Sequence, residues 1–199
     1  MSKPDDEIKE VKRGAEKGDA ESQFWLAVSY HTGKGIAKDG EQAVLWYRKA
    51  AEQNHTPAQF NLAMLYYLGN GVPKDFSETA KWMTRAAEQG EAASQNTLAV
   101  LYFNGEGVEK NIDEAIKWWR RTAENGNSKA QVSLGAMYYD GKGVEKDMVQ
   151  ALMWHNLSII NGSEDGQHNK TTLEKEATPE QISESKKLSD EWIKKYNGQ

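Results

Sequence analysis

The 199 residues include no cysteine. Disulfides, thiolate nucleophiles and cysteine-ligated zinc are thereby excluded. Histidine is scarce as well. His31, His55, His155 and His168 stand singly, without the H-x-x-x-H or H-E-x-x-H spacing that gathers a metal on one helix face. No metal and no cofactor is expected. An excess of positive charge is also missing: 25 Lys+Arg stand against 30 Asp+Glu, a net charge of -5. A duplex-binding protein needs a cationic stripe to release counterions from phosphates, so nucleic acid is not an expected partner. No run approaches the roughly 18 apolar residues of a membrane span, and MSKPDDEIKEVKRGAEKGD at the start carries no apolar leader core. No membrane insertion is expected. The chain is expected to be cytoplasmic, or periplasmic or secreted where a leader has been removed.

What the chain does have is repetition. Tyr30, Tyr66, Tyr102 and Tyr138 recur at intervals of 36, as do Trp46, Trp82, Trp118 and Trp154. The pairs Gly33/Gly35, Gly69/Gly71, Gly105/Gly107 and Gly141/Gly143 keep the same phase. A fixed period of this length marks a solenoid. The period divides the chain into repeats 19–54, 55–90, 91–126 and 127–162, with an N-terminal capping helix at 8–18 and a C-terminal cap at 163–199. Together these are read as one all-α domain over 1–199. Residues 1–7 are polar, carry Pro4 and are expected to fray.

Each repeat holds two helical patterns, helix A and then helix B. In the first, Phe24, Leu26, Ala27 and Tyr30 follow the mixed three/four spacing of an amphipathic helix. Gly33 then suits a left-handed C-terminal cap, and Gly35 allows a tight reversal. Helix B opens with Asp39/Gln42, Asp75/Glu78, Asn111/Glu114 and Asp147/Gln150, the spacing of a capping box. It stops at Asn54, Gly90, Gly126 or Gly162. The fourth repeat ends in Ser158-Ile159-Ile160 where the others carry a Glu, so Ile159 and Ile160 are expected to pack near the C-terminal cap. A polar linker, 161–169, precedes a short helical stretch at 170–176. Thr178-Pro179-Glu180-Gln181 then starts a final helix.

The composite A-x-x-x-L-A-x-x-Y-x-x-G-x-G-V-x-K-D-x-x-E-A-x-x-W-Y-x-K-A-A-E-x-G resembles the Sel1-like repeat, a relative of the tetratricopeptide repeat. The match covers all four repeats, and the TPEQI…EW tail is similar to the capping segment of bacterial members. Thr79 stands where the motif has Ala, and His155 replaces the second aromatic of the Trp-Tyr pair. The resemblance implies a right-handed superhelix of paired antiparallel helices with helix A on the concave side. It also implies a non-enzymatic adaptor or scaffold.

The four-Trp series reads as a core ladder between neighbouring repeats rather than a ligand cage. The G-x-G turns follow helices, not strands, and so are not phosphate loops. Ser183-Glu184-Ser185-Lys186 matches the S-x-x-K of penicillin-recognising enzymes, but neither an S-D-N nor a K-T-G partner accompanies it. A hydrolase of that kind stays an alternative only because the resemblance includes proteins linked to such activity. No catalytic residue is assigned. In the concave register of the related repeats, the exposed positions are Phe24, Val28 and His31; Phe60, Met64 and Tyr67; Asn96, Val100 and Phe103; and Val132, Ala136 and Tyr139. This row is more apolar than an idle surface requires, and such patches mark interaction sites. With little basic charge, it suits an extended or helical peptide with apolar anchors better than a clamp for a terminal carboxylate. The competing reading is that curvature buries the row as secondary core. The chain is expected to be a monomer; a structural oligomer built through its caps or convex face is the remaining alternative.

Overall fold

The computed structural model describes residues 4–196, which form eleven α-helices and no strand. They fall into two units, Met1–Lys110 and Asn111–Gln199. The first holds α1 (Pro4–Glu16), α2 (Ala20–Thr32), α3 (Gly40–Glu52), α4 (Thr56–Leu68), α5 (Phe76–Glu88) and α6 (Ala92–Asn104). The second holds α7 (Ile112–Glu124), α8 (Ser128–Asp140), α9 (Met148–Ile160), α10 (Glu164–Leu173) and α11 (Pro179–Tyr196). Helix A of the successive repeats is α2, α4, α6 and α8; helix B is α3, α5, α7 and α9. The first helix begins at Pro4, inside the stretch 1–7 that is expected to fray, and proline suits the first helical position. Residues 1–3 lie outside the described residues.

The turn between helices A and B works as its glycines suggest. Gly33, Gly69, Gly105 and Gly141 close helix A in the left-handed conformation, at φ 79, 72, 78 and 69°. The second glycine has a further reason to lack a side chain. A Cβ on Gly107 would fall 2.0 Å from the Phe76 carbonyl oxygen, and one on Gly143 would fall 2.4 Å from Ile112 Cγ2. In the second, third and fourth repeats the turn therefore rests directly on the start of the preceding helix B.

The helix-B caps are only half the box that the spacing predicts. Asp39, Asp75, Asn111 and Asp147 each accept from the third residue of the helix at 3.0 Å. The return bond is taken by backbone instead: the amides of Asp39, Asp75 and Asp147 donate to the carbonyls of Tyr30, Tyr66 and Tyr138 at 2.9, 3.1 and 2.9 Å. The side chain at the third position is released for other partners. Among the described residues, a reciprocal box stands in the C-terminal cap, between Thr178 and Gln181.

The core consists of leucines on helix A and small residues on helix B. Leu62, Leu98, Leu134, Ala43, Ala50 and Ala86 are fully buried. Each such leucine contributes about 1.5–3 kcal/mol by leaving water, and the alanines let helix axes approach. The tryptophan series differs from the expected ladder. Trp82 and Trp154 are buried, but Trp46 and Trp118 are half-exposed, with Lys49 Nζ 3.9 Å and the Arg121 guanidinium 5.7 Å from their ring centres. The uniformly buried column is the next position, Tyr47, Met83, Trp119 and His155. Thr79 fits its buried site by donating from Oγ1 to the Asp75 carbonyl at 2.7 Å.

A column of glutamines runs through the same core. Gln23, Gln59, Gln95 and Gln131 are buried, and each side-chain amide donates to the carbonyl eight residues earlier, at Ala15, Ala51, Ala87 and Ala123, over 3.0–3.2 Å. Each of these carbonyls also accepts a backbone amide three residues on, so the next helix supplies its second donor in place of water.

In the C-terminal cap, α10 starts inside the stretch expected to be a linker. Ser163 caps it by accepting from Gly166 N at 3.1 Å, and Glu164 and Asp165 sit in its first turn. Gly166 is obligatory there, since a Cβ would fall 1.9 Å from Ser158 Oγ. Ile159 is half-buried, but Ile160 is 60% exposed. Position 160 keeps the outward phase of Glu52, Glu88 and Glu124, and the cap packs on other faces of α9, where Ser189 Oγ donates to the Met153 carbonyl at 3.4 Å.

Candidate functional site

All twelve positions of the helix-A row are half-buried: Phe24, Val28, His31, Phe60, Met64, Tyr67, Asn96, Val100 and Phe103 in the first unit, and Val132, Ala136 and Tyr139 in the second. Their chemistry follows from what each helix end brings near. Phe24 stacks on His55 with ring centres 4.7 Å apart, and both Phe24 and His31 reach the buried Tyr47, at 5.9 and 6.2 Å. Burial pushes the Tyr47 phenol up to about 12. Tyr67 meets Phe76 edge to face at 5.6 Å. Asn96 interrupts the apolar run; its Oδ1 is buried and has no donor among the described residues.

The row carries more positive charge than its own residues suggest. Lys74 Nζ lies 5.6 Å from the Tyr67 ring centre, Lys110 Nζ 5.8 Å from that of Phe103, and Lys146 Nζ 4.8 Å from that of Tyr139. The cause is local and repeated. A Cβ on Gly69, Gly105 or Gly141 would touch the Cβ of Lys74, Lys110 or Lys146 at 3.5, 3.0 and 3.3 Å. The stem of each lysine therefore crosses the helix-A cap and carries its ammonium to the last ring of the row. This corrects the expectation of little basic charge. The lysines recur at intervals of 36 in the V-x-K-D string, and that period was the available signal.

In the second unit the row is met by the chain itself. Tyr139 Oη donates to both oxygens of Glu176, at 2.9 and 3.1 Å. Leu173 is buried with Ala151 and Leu152, and Tyr138, Tyr139, Met148, Ala177 and Ile182 pack around that cluster. The Glu176 carboxylate, as acceptor and as a like charge to phenolate, raises the Tyr139 pKa.

A second constellation lies among the helices of the first unit. Glu78 Oε2 accepts from Trp82 Nε1 at 3.0 Å and lies 3.5 Å from the Arg48 guanidinium. Its Oε1 accepts from Lys81 Nζ at 2.7 Å. Arg48 also donates to the Tyr66 hydroxyl. Burial opposes ionisation of Glu78, but Lys81, Trp82 and Arg48 together hold its carboxyl below the ordinary range.

The S-x-x-K string does not form a site. Ser183 and Lys186 are both exposed on α11, while the buried Ser185 donates to the Ile182 carbonyl. Among the described residues, no group of three His, Asp or Glu is placed to hold a metal ion, and no helix is long and apolar enough to cross a membrane.

Four consecutive matches to the Sel1 repeat model cover residues 20–55, 56–91, 92–127 and 128–163, one residue later than the boundaries read from the period. Among solved structures, the chain is similar to c5321, described as a protective antigen of uropathogenic Escherichia coli displaying an SLR fold. Identity is 38% and the TM-score 0.83, over 95% of this chain and 41% of that one. The chain thus spans less than half the length of that relative. It is 30% identical to a Sel1 repeat protein from Oxalobacter formigenes, with a TM-score of 0.74 over 95% of this chain and 80% of that one. Against Helicobacter pylori cysteine rich protein B it is 26% identical, with a TM-score of 0.51 over 66% of this chain and 94% of the other. No curated protein sequence matched the chain.

Proposed function

The chain belongs to the Sel1 repeat family, and we propose that it acts, as a monomer, by seating a peptide segment of a partner protein on its helix-A row. Sel1 repeats are in general protein-interaction modules, and the residues of this chain add the finer reading. The observation that carries it is Tyr139. There the chain lays its own segment around Leu173–Ala177 against the row, joining an apolar anchor to a carboxylate that accepts from the tyrosine hydroxyl. Tyr67 and Phe103 occupy the same register, and Lys74 and Lys110 flank them as Lys146 flanks Tyr139. An apolar segment with an acidic residue beside its anchor is the matching chemistry: rings bury the anchor, and ammonium groups attract the charge. The role is binding, not catalysis.

Selection of peptides from a random display library against the full chain tests this. Recovered sequences should pair apolar anchors with Asp or Glu, and binding should vanish in Tyr67→Asp/Phe103→Asp while the thermal transition is kept. A selection that returns nothing, or peptides indifferent to both substitutions, overturns the reading. Loss of the fold in that variant makes the row core. Light scattering after size exclusion checks the monomer.

A further inference from the structure

The Arg48, Tyr66, Trp82 and Glu78 constellation has a counterpart in the second unit, two periods later, in which the donors remain and the acceptor does not. Arg120, Tyr138 and Trp154 correspond to Arg48, Tyr66 and Trp82, and Arg120 donates to the Tyr138 hydroxyl at 3.1 Å. Position 150, the counterpart of Glu78, is Gln, and Met153 replaces Lys81. The carboxylate and the ammonium that balanced it have gone together. Trp154 is 3% exposed, and its Nε1, whose counterpart donates to Glu78, has no hydrogen-bond partner among the described residues. A buried N–H left this way is costly, because it has given up its hydrogen bond to water and gained none. Position 150 offers Arg120 no carboxylate to match the Glu78 that lies 3.5 Å from Arg48.

These donors line a cleft of ≈ 410 Å³. Its other wall comes from α11: Leu188 and Trp192 are apolar, and the Trp192 ring meets that of Trp154 edge to face at 4.9 Å. Glu124 and Glu191 stand on the lining with Lys195. Two acidic side chains disfavour a ligand of high negative charge, which limits the fit to one carboxylate.

We propose that this cleft binds a monocarboxylate carried on an apolar or aromatic body, the carboxylate standing to Arg120 and Trp154 as Glu78 stands to Arg48 and Trp82. The guanidinium supplies charge-assisted donors, the indole N–H a further one, and the Gln150 amide can donate where a glutamate would repel. Met153, Leu188 and Trp192 take the body. The site is independent of the helix-A row. Its ligand is either a free aryl or alkyl acid or the C-terminal carboxylate of a polypeptide, since both present the same group.

Titration calorimetry on the full chain, with the Trp154 indole proton followed by NMR, tests the proposal with four probes. These are 3-phenylpropionate, its amide, a capped tripeptide ending in leucine with a free carboxylate, and the same peptide amidated. At least one acid should bind and shift the Trp154 signal, with its amide weaker by about tenfold or more, the worth of one charged hydrogen bond. A tighter phenylpropionate assigns the site to small acids, and a tighter peptide assigns it to chain termini. Arg120→Met should weaken the acid by about tenfold. Gln150→Glu restores the carboxylate of the first unit, and should abolish binding while keeping the melting temperature. Equal binding of acid and amide, no binding of either acid at millimolar concentration, or unchanged binding in Gln150→Glu overturns the proposal.

Discussion

Gly135 lies beneath the imidazole of His155: a Cβ placed on the glycine would fall 2.7 Å from both Cε1 and Nε2. The other repeats have Ala27, Ala63 and Ala99 at the glycine's position and Tyr47, Met83 and Trp119 at the histidine's, all of them buried. The fourth repeat therefore changed both sides of one contact. Gly135→Ala alone should destabilise by about 1–3 kcal/mol through overpacking. Gly135→Ala/His155→Met recreates the Ala63 and Met83 combination and should recover most of that loss. A double-mutant cycle in urea measures the coupling, and additive effects would refute the contact's importance.

The same imidazole sets an acid limit. Burial pushes the His155 pKa down to about 4 from 6.5. The unfolded chain therefore binds the proton first, and stability falls as pH drops from 6.5 towards 4, then stops falling on this account. The contribution is present in full above pH 6.5. A shift of this size corresponds to roughly 3 kcal/mol. Relative to His155→Met, the native chain should lose about that much stability between pH 7 and pH 4, while other titrating groups cancel in the comparison. Urea midpoints at several pH values decide it. A constant gap between the two proteins would show that His155 takes up its proton in the fold as readily as in the unfolded chain.

Much of this was legible because a period in sequence is a period in space. Helix A, its glycine cap, the helix-B start and the half-buried row all follow from residues within one repeat. The failures share a different origin. The return bond to Asp39 comes from the Tyr30 carbonyl, and backbone acceptors carry no sequence mark. Ile160 looked like half of a contact, but only the packing of the cap on α9 decides which faces are covered. The glutamine column was as periodic as the tryptophans. It went unread because a polar residue on a helix suggests solvent until the carbonyl that it satisfies is located. The lysines at 74, 110 and 146 reach the row only by crossing a glycine whose contact is visible in three dimensions.

Two left-handed glycines should respond differently to substitution. Gly90, at φ 92°, has nothing within 4 Å of the missing Cβ, whereas Gly107, at φ 71°, lies against the Phe76 backbone. Asn54, at φ 63°, occupies the register of Gly90 in the first repeat. Gly90→Asn should therefore cost less than about 1 kcal/mol, since asparagine tolerates this conformation. Gly107→Ala adds steric collision to conformational strain and should cost roughly 3 kcal/mol or more. Chemical denaturation of the two variants gives the comparison, and similar midpoints would contradict the close approach.

The glutamine column predicts a coupling that neither residue shows alone. Gln59 is fully buried; its amide donates to the Ala51 carbonyl at 3.1 Å, and its oxygen accepts from Gln89 Nε2 at 2.6 Å. Methionine at 59 keeps the volume but removes both functions, leaving a buried carbonyl with one bond fewer. Gln59→Met should cost about 1–3 kcal/mol, the penalty for a buried polar partner lost. Gln89 is exposed, and its removal takes the donor from the buried Gln59 oxygen and the acceptor from the Thr56 hydroxyl, so Gln89→Ala should cost about 1 kcal/mol. Once Gln59 is methionine, Gln89→Ala breaks only the exposed bond from Thr56 Oγ1 and should cost less than it does in the native chain. The cycle should return a coupling of about 0.5–1 kcal/mol. Zero coupling would mean that the side-chain bond contributes nothing, and that the column is held by the bonds to the alanine carbonyls alone.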